Sequence, residues 1–219
     1  KPGRLVAPCE PQRDEAGSLR EYNVVLIRKL EDKMIQVEEA KRRLELEVAE
    51  RMRTEERIKK GFQLESALHR IDTQILEGAE IREVMETACE AIVEMGYRMG
   101  WIGRPDPDRI VRPVACKGVT DGYPENIDIR WDDSSEKKGP TEIAIRSGQP
   151  SVIQSIRESP FFGPWRESAI GHGYLSMAAF PLKSEAGEGI GVIDVYSDRE
   201  GAFSDEEVGR LGMFAQQCS

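Results

Sequence analysis

The stretch Gly139 to Leu182, "GPTEIAIRSGQPSVIQSIRESPFFGPWRESAIGHGYLSMAAFPL", decides how this chain reads. Its first part, Pro140 to Ser147, is a short helix closed by Gly148, and Ser151 to Gln154 is a short extended piece. The Pro/Phe/Trp run that follows is an irregular helical insert. Leu175 to Lys183 and Ile190 to Ser197 then form a strand hairpin around the turn Ser184 to Gly189. Ser204 to Gln217 is a closing helix with Val208, Leu211 and Phe214 turned inward.

Upstream of the stretch, Phe62 to Leu76 reads as a helix that stops at Gly78. A second helix, Ile81 to Met95, carries Ile81, Val84, Met85, Ala88, Ile92 and Val93 on one side and ends at Gly96. Tyr97 to Gly103 is a strand, Arg104 to Arg109 a Pro/Asp turn, Ile110 to Cys116 a strand, and Ile127 to Trp131 a further strand. The fold class is α+β: an antiparallel sheet flanked by terminal helices.

The order helix, helix, strand hairpin, helical insert, strand hairpin, final helix resembles that of GAF domains. The resemblance covers Phe62 to Ser219 and is strongest from Gly139 to Gln217. It is carried by Gly139-Pro140-Thr141, Ala144-Ile145-Arg146, Gly148 and Pro150, by Pro164-Trp165-Arg166-Glu167, Ala169, Gly173-Tyr174 and Ser176, and by Pro181-Leu182, "GVIDVYS" and "AFSDEEV". Two positions depart from the family pattern: Glu142 stands where glycine is usual, and Ser155 where aspartate is frequent. Both point to an altered or idle pocket. The resemblance implies a sensing and dimerising module, with ligands held between sheet and insert; ligands of the fold include cyclic nucleotides, haem, bilins and small metabolites. It places Met99, Trp101, Cys116, Trp131, Phe161, Phe162, Trp165, Tyr174 and Ser176 near a cavity, with Arg166 as an anion-recognising lid residue or, by preference, paired with a carboxylate. For the aromatics the alternative is ordinary core packing.

A second signal lies upstream. Ile27, Leu30, Met34, Val37, Leu44, Val48, Ile58 and Phe62 follow an alternating three-and-four spacing, with Lys41, Arg51 and Glu55 on the same seam. A heptad pattern over about five repeats favours a two-stranded coiled coil. A single amphipathic helix on a globular surface is the alternative. "LELEVAERMRTEER" also resembles the signalling-helix linkers that join sensor domains. Near Gly61 the phase breaks, and Leu64, Leu68, Ile71 and Ile75 continue one residue out of step. Glycine costs a helix roughly 1 kcal/mol relative to alanine. The slip marks a hinge or unwound point, or a rotation of the apolar face from a helical partner to the globular body, and the two are compatible.

At the amino end, "RDEAGSLREYNVVLI" reads as a hairpin, with a turn at Asp14 to Gly17 and a β-branched strand from Leu19 to Ile27. It resembles the last hairpin of a PAS domain, although Arg28-Lys29-Leu30 stands where many such domains carry Asp-Ile-Thr. The expected organisation is 1–27 PAS hairpin, 28–61 coiled-coil signalling helix and 62–219 GAF domain.

Composition narrows the function. A net charge of −9 over 219 residues opposes general nucleic-acid binding. No apolar run approaches the roughly 18 residues of a membrane span, and no signal-peptide pattern opens the chain, so a cytoplasmic place without direct membrane contact is expected. Cys9, Cys89, Cys116 and Cys218 form no C-x-x-C pair and read as reduced thiols. His69 in "ALHRIDTQIL" faintly resembles a kinase phosphoacceptor helix, but Arg70 follows it where an acid is usual, so a helix-surface or dimer-face histidine is preferred. His172, between two glycines, reads as structural rather than as a haem or carboxylate ligand. Cys116 lies on a strand, unlike bilin-anchoring cysteines, and "GEGIGV" precedes a strand rather than opening a helix, so it is a hairpin turn and not a phosphate loop. With two histidines and no nucleophile context, no catalytic triad assembles.

The expected function is therefore a non-catalytic regulatory fragment of a bacterial signalling protein of the histidine kinase or diguanylate cyclase type. The GAF domain would sense a small molecule, and the helix over 27–62 would pair two copies in parallel. A ligand-free dimerisation module is the alternative.

Overall fold

A computed structural model of the chain describes residues 15–131, 138–184 and 186–219. The chain divides into two units, Lys1–Arg57 and Ile58–Ser219.

In the first unit the described residues are helical and belong to α1, Glu15–Leu76. The strand expected over residues 19–27 is therefore helix. β-branched content (Val24, Val25, Ile27) is a weak preference, and no glycine or proline separates this stretch from the heptad run after it, so helix propagates through it. The rest of the expected hairpin, with Asp14 and Cys9, lies outside the described residues, and nothing among those described carries a PAS hairpin. The seam residues Leu30, Met34, Val37, Leu44 and Val48 are all exposed. Arg51 and Glu55, polar residues of the same seam, pair with each other at 2.9 Å.

In the second unit α1 runs unbroken through Gly61, so the expected unwinding is not present. Of the other meaning considered for the slip, the turn of the apolar face onto the globular body is present. Past Gly61, Ala67 and Ile71 are fully buried, and Leu64 and Leu68 pack against the same core. The helix stops where Gly78 adopts φ +76°, and the Ala79 amide caps the Gln74 carbonyl at 2.9 Å.

The remaining elements are α2 (Ile81–Glu94), β1 (Met99–Pro105), β2 (Val111–Gly118), α3 (Tyr123–Asn126), α4 (Pro140–Ser147), β3 (Ser151–Ile153), α5 (Arg166–Gly171), β4 (Ser176–Lys183), β5 (Gly189–Ser197) and α6 (Asp205–Gln217). A 3-10 turn, Pro160–Trp165, precedes α5. The five strands form one antiparallel sheet in the order β2-β1-β5-β4-β3. Residues 127–131 do not form the expected strand. They run beside Arg109 to Val111 through the bridge Ile110–Arg130, the Val111 amide on the Ile129 carbonyl at 2.8 Å and the Trp131 amide on the Arg109 carbonyl at 3.1 Å, and Ile129 is buried in the core on that face of the sheet.

Alternation along the strands divides the interior into two cores. Ile102, Ala178, Phe180, Ile193 and Val195 face α2, α6 and the α1 residues Ala67 and Ile71. Met99, Trp101, Met177, Ala179, Val192 and Tyr196 face the layer that includes α4, the 3-10 turn and α5. On the first side, a charged knot joins α1 to α6. Lys60 Nζ meets Glu207 Oε1 at 2.8 Å, the Tyr97 hydroxyl donates to Glu207 Oε2, and Tyr97 stacks on Phe203 with ring centroids 5.6 Å apart. Burial alone would raise the Glu207 carboxyl, but the hydrogen bonds from Lys60 and Tyr97 outweigh it and hold it below its ordinary value.

Candidate functional site

The second face of the sheet carries the polar chemistry. On β5, Val192, Asp194 and Tyr196 point the same way, and Asp194 pairs across the sheet with Trp101 on β1 and Ala179 on β4. Asp194 is fully buried. One carboxyl oxygen accepts from Thr141 Oγ1 at 2.6 Å; the other, Oδ1, has no hydrogen-bond partner among the described residues. Burial pushes this carboxyl from its ordinary 3.8 up to about 7, and the Thr141 bond only partly opposes that rise.

Around it lie further buried polar atoms without hydrogen-bond partners among the described residues: Trp101 Nε1 and the Tyr123 hydroxyl. Tyr196 is fully buried, and burial pushes its phenol well up; Tyr123, Asp194 and Trp101 lie close enough to perturb it too, yet Trp101 Nε1 and the Tyr123 hydroxyl do not reach hydrogen-bond geometry. The aromatic rings meet at steep angles. Tyr123 and Tyr196 are 5.6 Å apart and edge to face, as are Phe162 and Trp165 at 6.0 Å. A cavity of about 10 Å³ remains between Tyr123, Pro140, Thr141, Phe162, Trp165 and Tyr196. That volume is close to one water molecule's worth of accessible space.

The expected site residues fall into three groups. Met99, Trp101, Phe162 and Tyr174 are buried in this second core, with Trp131, Trp165 and Cys116 partly buried against it. Phe161 is 54% exposed and turned away, whereas its neighbour Phe162 is 2% exposed. Arg166 and Ser176 serve the backbone. Arg166 donates from Nε to the Ile156 carbonyl at 3.1 Å and from Nη2 to the Ser159 carbonyl. The carboxylate partner expected for Arg166 is thus replaced by two carbonyls, because the chain folds back over the 3-10 turn and leaves them beside the guanidinium. Ser176 donates to the Arg199 carbonyl at 2.6 Å. The Tyr174 hydroxyl is likewise bound, to the Val119 carbonyl. His172 stacks against Tyr174 and holds the Ser168 carbonyl at 2.7 Å.

The departures at Glu142 and Ser155 have local partners. Glu142 is buried on α4 with Arg146 Nη1 at 3.6 Å, and Ser155 donates to Glu200 at 3.3 Å. The family-like motif residues are mostly architectural. Gly139 lies beneath the Trp165 ring, where a Cβ would stand 2.8 Å from its nearest carbon. Sequence reasoning missed Asp194, Thr141, Tyr123 and Tyr196. A signal for Asp194 existed: it is the one acid in the apolar strand "GVIDVYS".

A two-faced antiparallel sheet, with helices on one side and an insert over a buried polar cluster on the other, defines a small α+β module. The chain belongs to the GAF domain family, whose model matches residues 78–219. Among solved structures it is similar to a domain of a protein described as a two-component sensor histidine kinase from Sinorhizobium meliloti 1021, at 26% identity, TM-score 0.50, over 64% of this chain and 88% of that one. It also shares its fold with free methionine-R-sulfoxide reductase from Neisseria meningitidis, solved with its substrate (17% identity, TM-score 0.56, 71% and 85% covered). The phycocyanobilin-bound GAF domain of a cyanobacterial phytochrome shares it as well (17%, TM-score 0.55, 71% and 91%). No curated protein matches the chain. Family and similarity together support a regulatory or sensory role. No helix among the described residues is long and apolar enough to cross a membrane.

Proposed function

We propose that this chain is a regulatory segment of a bacterial signalling protein of the histidine kinase or diguanylate cyclase type. Its GAF domain senses a small molecule, and α1 pairs two copies along residues 27–62 to relay occupancy. The observation that carries the sensing half is the buried carboxyl of Asp194 with an oxygen left without a partner among the described residues, beside two more unpartnered polar atoms. Buried polar groups in folded proteins are almost always satisfied, so a cluster of them marks a place where something else completes the bonding. The relaying half is supported by the exposed heptad seam. A ligand shifts the helix pair only by its differential affinity for two arrangements of it.

The three described thiols support a non-catalytic reading. Burial pushes Cys116 up, Cys89 further, and Cys218 to about 12, the opposite of an activated nucleophile. The ligand-free dimerisation module keeps one observation in its favour, the cavity of about 10 Å³.

Sedimentation of the 219-residue chain tests the pairing. A dimer that becomes a single protomer on Leu30→Asp with Leu44→Asp, with the GAF melting transition kept, is expected. A protomer at high micromolar concentration in the unaltered chain overturns it. A thermal-shift survey of metabolites tests the sensing: if none raises the melting temperature, the ligand-free module stands.

A further inference from the structure

We propose that the GAF site recognises a small organic cation, an alkyl- or methylammonium group seated among Tyr123, Tyr196, Phe162 and Trp165, with Asp194 as its counter-charge. This deepens the sensing role proposed above and rests on it.

Three observations converge on that chemistry. The first is charge. Asp194 is completely buried, Thr141 satisfies one of its oxygens at 2.6 Å, and Oδ1 is left without a partner among the described residues. A carboxylate in such surroundings is costly unless a positive or strongly donating group meets it. The second is the wall. Four of the nine described residues lining the cavity are aromatic, and no lysine, arginine or histidine is among those nine. Ring faces carry negative potential and attract ammonium groups, most strongly where water is excluded. The third is what the wall lacks. A phosphate or carboxylate ligand would meet the ring faces with Asp194 close behind Thr141, which lines the cavity and donates to it, and no cation stands among the described lining residues; Arg166 is engaged by two backbone carbonyls. Anionic ligands are therefore disfavoured.

The cavity as it stands holds about 10 Å³, so a cation larger than water enters by displacing a wall. Trp165 is the movable one. It is only half-buried, ends the 3-10 turn, and rests on Gly139, which has no side chain to hold it down.

Ionisation of Asp194 sets a pH signature. The titratable groups around it are the phenols of Tyr123 and Tyr196, both raised by burial and neutral near pH 7, and Glu142 on α4, which faces Arg146. Beyond Tyr123, His172 lies 5.1 Å from that ring. With Asp194 titrating at about 7, cation affinity should be about tenfold higher at pH 8 than at pH 6.

The test uses the full chain with choline and tetramethylammonium at millimolar concentration. The controls are 3,3-dimethyl-1-butanol, the uncharged isostere of choline, and cyclic GMP as an anion. The cations should raise the melting temperature while the isostere and the nucleotide do not. Asp194→Asn should abolish the response without lowering the melting temperature of the free protein at pH 8, and His172→Gln should keep both the response and its pH profile. Should the Asn variant fail to fold, the pH profile of the unaltered chain decides alone, and an affinity flat between pH 6 and 8 overturns the proposal. A shift from the isostere equal to that from choline, or from cyclic GMP alone, overturns the cation and leaves the sensing role standing. Silence from every compound overturns the cation, and the wider metabolite survey then judges the sensing role separately.

Discussion

Asp194→Asn should stabilise the free protein at neutral pH and above, and lose that advantage near pH 5. Folding raises the Asp194 carboxyl from 3.8 to about 7, so between these values the folded state holds a proton that the unfolded state releases. Stability from this group is fully present below pH 3.8, falls as pH rises towards 7, and stays low above that. At about 1.4 kcal/mol per pH unit, the loss comes to about 4 kcal/mol by pH 8. Asparagine removes that penalty and keeps an oxygen for Thr141, but it buries an amide whose hydrogens lack partners, at about 1–3 kcal/mol. The variant should thus gain roughly 1–3 kcal/mol at pH 8, or about 3–10 °C in Tm for a domain of this size. Near pH 5 the wild-type penalty is only about 1.6 kcal/mol, so the two proteins should be level or the variant slightly weaker. Thermal and urea unfolding of both proteins from pH 5 to 8.5 measures the difference, in which titrations elsewhere cancel. A variant weaker than wild type at pH 8, or a difference that does not change with pH, refutes the account of a strained buried carboxyl.

Three other substitutions probe the framework. Gly139→Ala drives a methyl to 2.8 Å from the Trp165 ring, so the ring must lift, and overpacking of this kind costs about 1–3 kcal/mol; an unchanged melting temperature would show that the lid is already loose. Glu207→Gln leaves Lys60 and Tyr97 without their charged partner and should cost about 1–3 kcal/mol at pH 7. Because folding lowers the Glu207 carboxyl, its contribution is present at neutral pH and lost as acid protonates it below its ordinary 4.5, so the variant should also flatten the acid limb of the stability profile. Gly61→Ala meets nothing within 4 Å in the interior of α1 and should stabilise the helix by about 1 kcal/mol, read as a higher Tm. A destabilised Gly61→Ala protein would mean that the helix is interrupted there after all.

The sheet hairpins and the closing helices were legible because periodicity and glycine stops agree there: α4 ends before Gly148, and Leu211 and Phe214 of α6 are buried as their spacing requires. Residues 19–27 misled because a local taste for β-branched side chains cannot resist a long helix with no breaker in it. Residues 127–131 misled because a strand needs a neighbour along its length and found one for a single bridge. Phe161 and Phe162 mark a sharper limit. They are the same residue in the same turn, yet one is exposed and the other buried, and only the 3-10 geometry separates them. Of the rings around the small cavity, Phe162 and Trp165 are among the expected residues and Tyr123 and Tyr196 are not. The charged centre of the site could have been read: period two from Val192 puts Asp194 and Tyr196 on one inward face. Tyr123 gave no such sign, since α3 is a single turn with no period to extend.

That alternation in β5 also gives a physical basis for coupling between the two cores. Asp194 and Tyr196 face the polar cluster, while Ile193 and Val195, interleaved with them, belong to the same buried core as Ala67 and Ile71 of α1. The strand is central, paired to β1 on one side and β4 on the other, so it cannot slip alone. Close-packed interiors have few voids and transmit small displacements. A group that draws Asp194 towards it must therefore move backbone shared with Ile193 and Val195, and the part of α1 that packs beside them is where such a displacement would first be felt.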